Sequence, residues 1–267
     1  MSDRLRLAVA ISSIVADCSS VEMCIRDRSY THKLWRLLQQ GVQNYVVGIP
    51  EKLSCIIYIS KFSSNIIKKH MKNYSGKEVL IHNPISVFRR KQIDVRKNKT
   101  FVFLGRLSSE KNPTLLAKVG KQMQAKVLFI GDGECRKEIE EINPDAKITG
   151  WIEKKEIYKY LEIGRCLVFP SVWYEGEPLA VLECMAMGIP VIVSNVCAAQ
   201  DNVMDGENGM IFRSNDEISL RNKMEKVMDD AVVDEMGKKA YEYFSSMNRE
   251  KYFDVVLKAY KDVLLKK

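Results

Sequence analysis

Two carboxylates, Glu175 and Glu183, stand eight positions apart in the run EGEPLAVLE. The first lies in a Gly/Pro turn and the second inside an apolar helical stretch. A carboxylate placed among Leu179, Ala180, Leu182, Cys184 and Met185 needs a partner, because an unpaired buried charge is costly. Gly176 and Pro178 open the helix, so its first free amides and positive dipole end are suited to phosphate oxygens. Glu183, a turn further on, is placed to accept two hydrogen bonds from a ribose diol, as the acid of dinucleotide-binding folds does. Its alternative is a helix residue paired with a nearby Lys or Arg. Glu175, in the preceding loop, is placed to hold sugar hydroxyls. A nucleotide carrying a sugar is the ligand class that meets all of these demands.

A second segment, Gly105-Arg106-Leu107-Ser108-Ser109-Glu110-Lys111, directly follows the apolar run Thr100–Leu104. Gly105 lets the chain turn, and two cations on one loop suit a diphosphate. A plain surface loop with a Glu110–Lys111 charge pair explains the same residues equally well. Gly131-Asp132-Gly133 follows Lys126–Ile130 and reads first as a strand-to-helix turn, with a nucleotide turn second. Trp151, after Gly150, is either a residue beside a base or a core residue. His32, His70 and His82 are scattered singly and read as surface or structural. No D-x-D, H-E-x-x-H, Walker A or G-x-S-x-G pattern occurs. The expectation is therefore no metal and no cofactor, with a departing diphosphate met by Arg106, Lys111 and helix amides.

These loops need a scaffold, and the chain supplies one in its alternation of elements. Strands are expected at Cys55–Ile59, Val79–Ile81, Thr100–Leu104, Lys126–Ile130, Lys147–Thr149, Cys166–Phe169, Pro190–Val193 and Met210–Phe212. Helices are expected near Ser63–Lys72, Pro113–Gln122, Glu134–Ile142, Lys154–Ile163, Leu179–Met187, Glu217–Asp229, Val233–Phe244 and Arg249–Leu265. Strands alternating with such helices predict right-handed crossovers and a parallel sheet. Continuously apolar strands imply that both sheet faces are covered. The fold class is thus α/β, a Rossmann-like doubly wound parallel sheet, whose ligands bind beyond the carboxyl ends of the strands.

The 267 residues suffice for one large or two small domains. Phe88–Lys99, FRRKQIDVRKNK, reads as an interdomain linker. It divides residues 29–87, too little for a complete doubly wound domain, from residues 100–267, a complete one. Within residues 1–28, LAVAISSIVA has the length of a signal-peptide apolar region. Val21–Arg28, VEMCIRDR, resembles a translated sequencing-adapter fragment. A non-native leader over 1–28 in place of a lost amino-terminal portion is the expectation, and a native mobile helix the alternative. The net charge of +8 suits nucleic acid, an anionic membrane surface or phosphorylated substrates, or is simply solvated. No Arg-rich helix or zinc-finger spacing supports nucleic acid, so none is expected as a partner. Seven cysteines without a C-x-x-C pair argue against a disulfide framework and for a reducing compartment.

Taken together, GRLSSEK, the E-x7-E of Glu175 and Glu183, FPSVWYEGEPL, MGIPVIVSN and DGENGMIF resemble glycosyltransferase family 4. The likeness runs from about Cys55 to the carboxyl end. IYISKFS and VLIHNPI resemble the segments that close the amino-terminal domain and enter the second. The resemblance implies a retaining enzyme of the GT-B fold, of which this chain holds the carboxyl-terminal half. Residues 100–267 are then the donor-binding domain, and residues 29–87 a remnant of the amino-terminal Rossmann-like domain. It implies that Gly105, Arg106 and Lys111 grip the donor diphosphate, with amides near Gly176, Pro178 and Leu179 completing the phosphate site. It implies that Glu183 binds the ribose and that Glu175 faces the transferred sugar, with Glu175, Arg106 and Lys111 carrying catalysis. The final helix resembles the one that crosses back onto the amino-terminal domain.

The chain departs from the family in reading Cys197-Ala198-Ala199-Gln200-Asp201 where Gly-Gly before a Glu is usual. It also places Glu177 at a position usually apolar, and it lacks counterparts of the amino-terminal Gly-rich loop and acceptor-side His. The expected function is sugar transfer from a nucleoside-diphosphate sugar to a glycan or lipid-linked acceptor. The expected location is cytoplasmic, with peripheral contact to an anionic membrane. A nucleotide-sugar binding module without transfer activity, or a UDP-sugar epimerase of the same fold, are the alternatives.

Overall fold

Short runs of branched and aromatic apolar residues become parallel strands in each of the two units into which the chain divides. The computed structural model describes residues 7–9, 34–35, 38–39, 41–42, 53–71, 74–82, 91–173, 175–246 and 252–265. One unit comprises Met1–Pro84 with Arg249–Lys267, and the other Ile85–Asn248. Val21–Arg28, His32 and the Phe88–Arg90 part of the expected linker lie outside the described residues.

In the first unit, β1 (Leu7–Val9), β2 (Cys55–Tyr58) and β3 (Lys77–Leu80) form a parallel sheet in the order β1-β2-β3. The sequence reading assigned no strand to Leu7–Val9; pairing with Cys55–Ile57 across the chain is what makes it one. Helix α1 (Lys61–His70) begins at a reciprocal cap in which Ser60 accepts from the Ser63 amide at 3.0 Å. Ile67 of α1 packs with Ile56 and Tyr58. Cys55 and Ile57 point to the opposite face, as strand alternation requires, and meet Ala259 and Val256 of the final helix, Tyr252–Leu264. That helix therefore belongs with the strands of the first unit rather than with the residues that precede it.

The second unit opens earlier than the sequence suggested. Residues 91–99 are anchored to it at two points: Val95 is buried, at the start of a 3-10 turn over Val95–Lys97, and the Ile93 amide donates to the Met187 carbonyl at 2.9 Å. Val95 is one apolar residue in a charged stretch, which has no periodicity from which burial can be read. Its six parallel strands are β4 (Thr100–Leu104), β5 (Lys126–Ile130), β6 (Lys147–Ile148), β7 (Gly164–Phe169), β8 (Val191–Ser194) and β9 (Gly209–Phe212), in the order β6-β5-β4-β7-β8-β9. Counted within the unit this is 3-2-1-4-5-6, the dinucleotide-fold order, with its reversal between β4 and β7. Helices α2 (Pro113–Gln122), α3 (Arg136–Ile142), α4 (Lys154–Leu161), α5 (Leu179–Met185), α6 (Glu217–Lys226) and α7 (Asp230–Ser246) complete it. Phe101, Phe103, Phe129, Leu167 and Ile192 are among its buried core, on strands whose two faces are both covered.

Cys55, Cys135, Cys166, Cys184 and Cys197 are buried free thiols. Among the described residues no helix is long and apolar enough to cross a membrane.

Candidate functional site

Strands β4 and β7 lie side by side at the point where the strand order reverses, which in open parallel sheets is the position of the ligand crevice beyond the carboxyl ends of the strands. The loop after β4 carries Gly105, Arg106 and Lys111, and the loop after β7 carries Ser171, Glu175, Gly176 and Pro178. The sequence therefore placed its two main candidate segments on the two walls of one crevice. A third loop, after β5, is stitched to the first. The Leu107 amide donates to the Asp132 carbonyl at 2.9 Å, and the Cys135 amide to the Leu107 carbonyl at 2.9 Å.

Gly131 and Gly133 make that approach possible. Gly131 has φ +142°, and a Cβ there would stand 2.0 Å from the Gly105 carbonyl oxygen. A Cβ at Gly133 would stand 2.4 Å from the Leu107 carbonyl oxygen. The Gly-Asp-Gly turn is thus a packing device beneath the Gly105–Lys111 loop. Gly131→Ala is expected to cost about 3 kcal/mol through strain and backbone overlap. Urea unfolding checks this, and an unchanged midpoint would contradict so close an approach.

Lys111 and Glu175, 64 residues apart, form an ion pair across the crevice, with side chains only 22% and 14% exposed. The Lys111 ammonium also lies 5.6 Å from the centre of the Phe169 ring, a cation–π distance. Ser171 Oγ is 2.9 Å from Glu175 Oε1, and the Val172 amide donates to the Glu110 carbonyl at 3.0 Å. Ser194, the last residue of β8, donates its hydroxyl to the Ser171 carbonyl. Arg106 stands apart from this cluster: its side chain is 70% exposed and its guanidinium meets Glu110 at 2.8 Å. The Glu110–Lys111 pair considered from sequence is replaced by Arg106–Glu110 and Lys111–Glu175. Ser171 and Ser194 were not among the sequence candidates, since a lone Ser in a loop or at a strand end carries no distinguishing signal.

Glu183 sits one turn into α5 among buried neighbours and is itself buried. Its Oε1 lies 3.7 Å from the ammonium of Lys154, the first residue of α4. A charge partner for the carboxylate is thus present, the arrangement weighed against the ribose reading. Leu179 is exposed at the start of α5, which has seven residues. Glu177 is buried as well.

Trp151 is 80% exposed, which rules out the core-packing alternative and leaves its ring at the carboxyl end of β6. Cys197, Ala198 and Ala199 are fully buried in and before a 3-10 helix, Ala198–Asn202. Their side chains fill core where a glycine pair would leave space. Burial pushes the Cys197 thiol up to about 11, against the lowering effect of its Ser194 hydrogen bond, so it is an inert thiol.

The sequence profile described as "Glycosyl transferases group 1" matches residues 85–243. The Escherichia coli UDP-Gal:alpha-D-GlcNAc-diphosphoundecaprenol alpha-1,3-galactosyltransferase is 29% identical over 188 residues, covering 64% of this chain and 48% of that protein. A GDP-mannose-dependent alpha-mannosyltransferase of Corynebacterium glutamicum is 30% identical over 181 residues, covering 67% of this chain and 44% of its own. The chain thus spans about half the length of the curated relatives it matches. Among solved structures, sucrose-phosphate synthase from Thermosynechococcus elongatus superposes with a TM-score of 0.75 at 20% identity, covering 96% of this chain and 66% of that one. HepE from Anabaena in complex with UDP superposes at 0.71 and 17% identity, covering 84% and 68%. The strand order, the crevice between β4 and β7 and the profile match over residues 85–243 agree: the chain belongs to the glycosyl transferases group 1 family.

Proposed function

We propose that this chain is the donor-binding half of a retaining glycosyltransferase, which moves a sugar from a nucleoside-diphosphate sugar to a glycan or lipid-linked acceptor. The observation that carries the reading is the Lys111–Glu175 pair at the strand-order reversal. It sets a partly buried cation and a sugar-binding type of carboxylate side by side where this fold places its ligands. In this reading Lys111 and Arg106 meet the diphosphate, Glu183 the ribose and Glu175 the sugar. Gly105 shapes the loop, and backbone groups near Gly176, Pro178 and Leu179 adjoin the phosphates. Exposed Trp151 is offered to the base.

Charge that develops on the leaving diphosphate as the sugar becomes oxocarbenium-like is then stabilised by groups already in place. The names of the two curated relatives support the donor class, being UDP-Gal and GDP-mannose, and their alpha products are what a retaining enzyme makes from an alpha-linked donor. The undecaprenol-linked acceptor of the first relative and the lysine surplus of this chain support an acceptor at an anionic membrane face, reached from the cytoplasm.

Calorimetric titration of the chain with UDP, GDP and ADP tests the reading. One nucleotide is expected to bind saturably, and Arg106→Ala and Glu183→Ala are each expected to weaken it about tenfold while the fold is kept. Failure of the well-folded chain to bind any of the three would contradict the proposal. So would a Glu183→Ala variant whose only defect is a much lower melting temperature, since that marks a structural carboxylate.

A further inference from the structure

We propose that Ser171 and Ser194 are positioning residues for Glu175, an inference that rests on the donor-site reading above. Both serines are completely buried, Ser194 as the last residue of β8 and Ser171 two positions beyond the end of the adjacent β7, where the nearby strand residues are apolar apart from Arg165 at the far end of β7. A hydroxyl in such a place costs stability unless it is bonded, and an alanine would fill nearly the same volume. The shorter contact of each hydroxyl leads toward Glu175, while Ser194 Oγ also lies 3.5 Å from Cys197 Sγ on the other side. Ser194 donates to the carbonyl of Ser171 and so fixes the backbone from which the Ser171 side chain springs.

Ser171 Oγ accepts from the Trp173 amide at 3.3 Å and has one proton to give. That proton has two acceptors in reach, Glu175 Oε1 at 2.9 Å and the Glu110 carbonyl at 3.2 Å. The Glu110 carbonyl already receives the Val172 amide at 3.0 Å, and a carboxylate is the stronger acceptor, so the proton goes to Glu175. Lys111 reaches the same oxygen. Among the described residues both donors therefore grip Oε1, which in this proposal leaves Oε2 to meet a sugar hydroxyl. The serine chain holds the orientation of the carboxylate, and with it the sugar, without touching the ligand.

The test uses the nucleoside diphosphate that the chain binds, and a panel of its sugar conjugates: UDP-glucose, UDP-galactose and UDP-N-acetylglucosamine, or GDP-mannose, or ADP-glucose. Ser171→Ala is expected to weaken the preferred conjugate about five- to tenfold and to leave the bare nucleoside diphosphate within about twofold. Glu175→Gln is expected to weaken the conjugate at least as much. The double variant is expected to be no worse than Glu175→Gln alone, because the serine acts through the carboxylate.

Ser171→Cys, near in shape and a weak donor, should fall between wild type and Ser171→Ala, and serves if the alanine variant folds poorly. Losses that add in the double variant, or that fall equally on conjugate and bare nucleotide, would overturn the positioning role while the donor site stands. A conjugate affinity indifferent to Glu175→Gln would also overturn it. A wild-type chain that binds none of the probes would remove the donor-site reading itself and this inference with it.

Discussion

Lys111→Ala is expected to weaken nucleoside-diphosphate binding by about a hundredfold, the largest single loss at the crevice. Two effects add. A charge-assisted contact to phosphate is worth roughly 1.5–3 kcal/mol. Beyond that, the variant leaves Glu175, only 14% exposed, without its cation and facing an incoming dianion. Breaking a buried pair on one side costs about 3–5 kcal/mol, and the partial exposure of this one places it at or below the lower end. The melting temperature should therefore fall as well. Adding Glu175→Gln to Lys111→Ala separates the effects: thermal stability should return toward wild type while nucleotide affinity recovers only in part, by the share that the unpaired carboxylate had cost. Calorimetry and thermal unfolding of the three proteins check this. If the double variant regains the full wild-type nucleotide affinity, Lys111 is only the structural partner of Glu175.

Arg165→Ala should produce the largest loss of stability. Arg165 is fully buried at the start of β7, which is unusual for a guanidinium. It donates to the Val227 carbonyl at 2.6 Å, the Met228 carbonyl at 2.6 Å and the Asn98 carbonyl at 2.9 Å, and pairs with Asp230 at 2.7 Å. One side chain thus ties the sheet to the end of α6 and the start of α7. Alanine strands these carbonyls and leaves a cavity, a loss of about 3–5 kcal/mol. For a unit of this size that is a fall of roughly 10 °C in melting temperature. Lysine cannot rescue it, since an ammonium lacks the planar fork that reaches three carbonyls.

Acid should remove part of the same tie. Hydrogen bonds from Lys99 and then Arg165 hold the Asp230 carboxyl below its ordinary value. A depressed folded-state value means the contribution is present above the ordinary aspartate range and is lost as pH falls through the folded value. A melting temperature for Arg165→Ala within a degree or two of wild type would contradict this role.

Where burial and periodicity decide an element, the sequence sufficed. Thr100–Leu104 and Lys126–Ile130 are strands over the residues expected, because buried parallel strands are continuously apolar. Pro113–Gln122 is a helix over the residues expected, with Pro113 in its first turn. Where distant residues decide, it did not suffice. Helix α3 starts at Arg136 rather than Glu134 because Gly133 abuts the Leu107 carbonyl of the loop after β4 and the Cys135 amide is bonded to it. Val95 is buried by partners that its charged neighbours do not announce.

The site divides in the same way. Residue type and the ends of strands brought Arg106, Lys111, Glu175 and Glu183 to notice. Their pairings, Lys111 with Glu175, Arg106 with Glu110 and Glu183 with Lys154, depend on strand order and loop path. Ser171 and Ser194 acquire meaning only once β7 and β8 are adjacent.

The most direct test of the donor site is a crystal structure of the chain with the nucleoside diphosphate it binds. Diphosphate oxygens are expected within hydrogen-bond distance of the Lys111 ammonium, in the crevice between β4 and β7, and a ribose hydroxyl on the Glu183 carboxylate. A diphosphate bound away from the carboxyl ends of these strands, or a ribose out of reach of the Glu183 carboxylate, would contradict the donor-site reading.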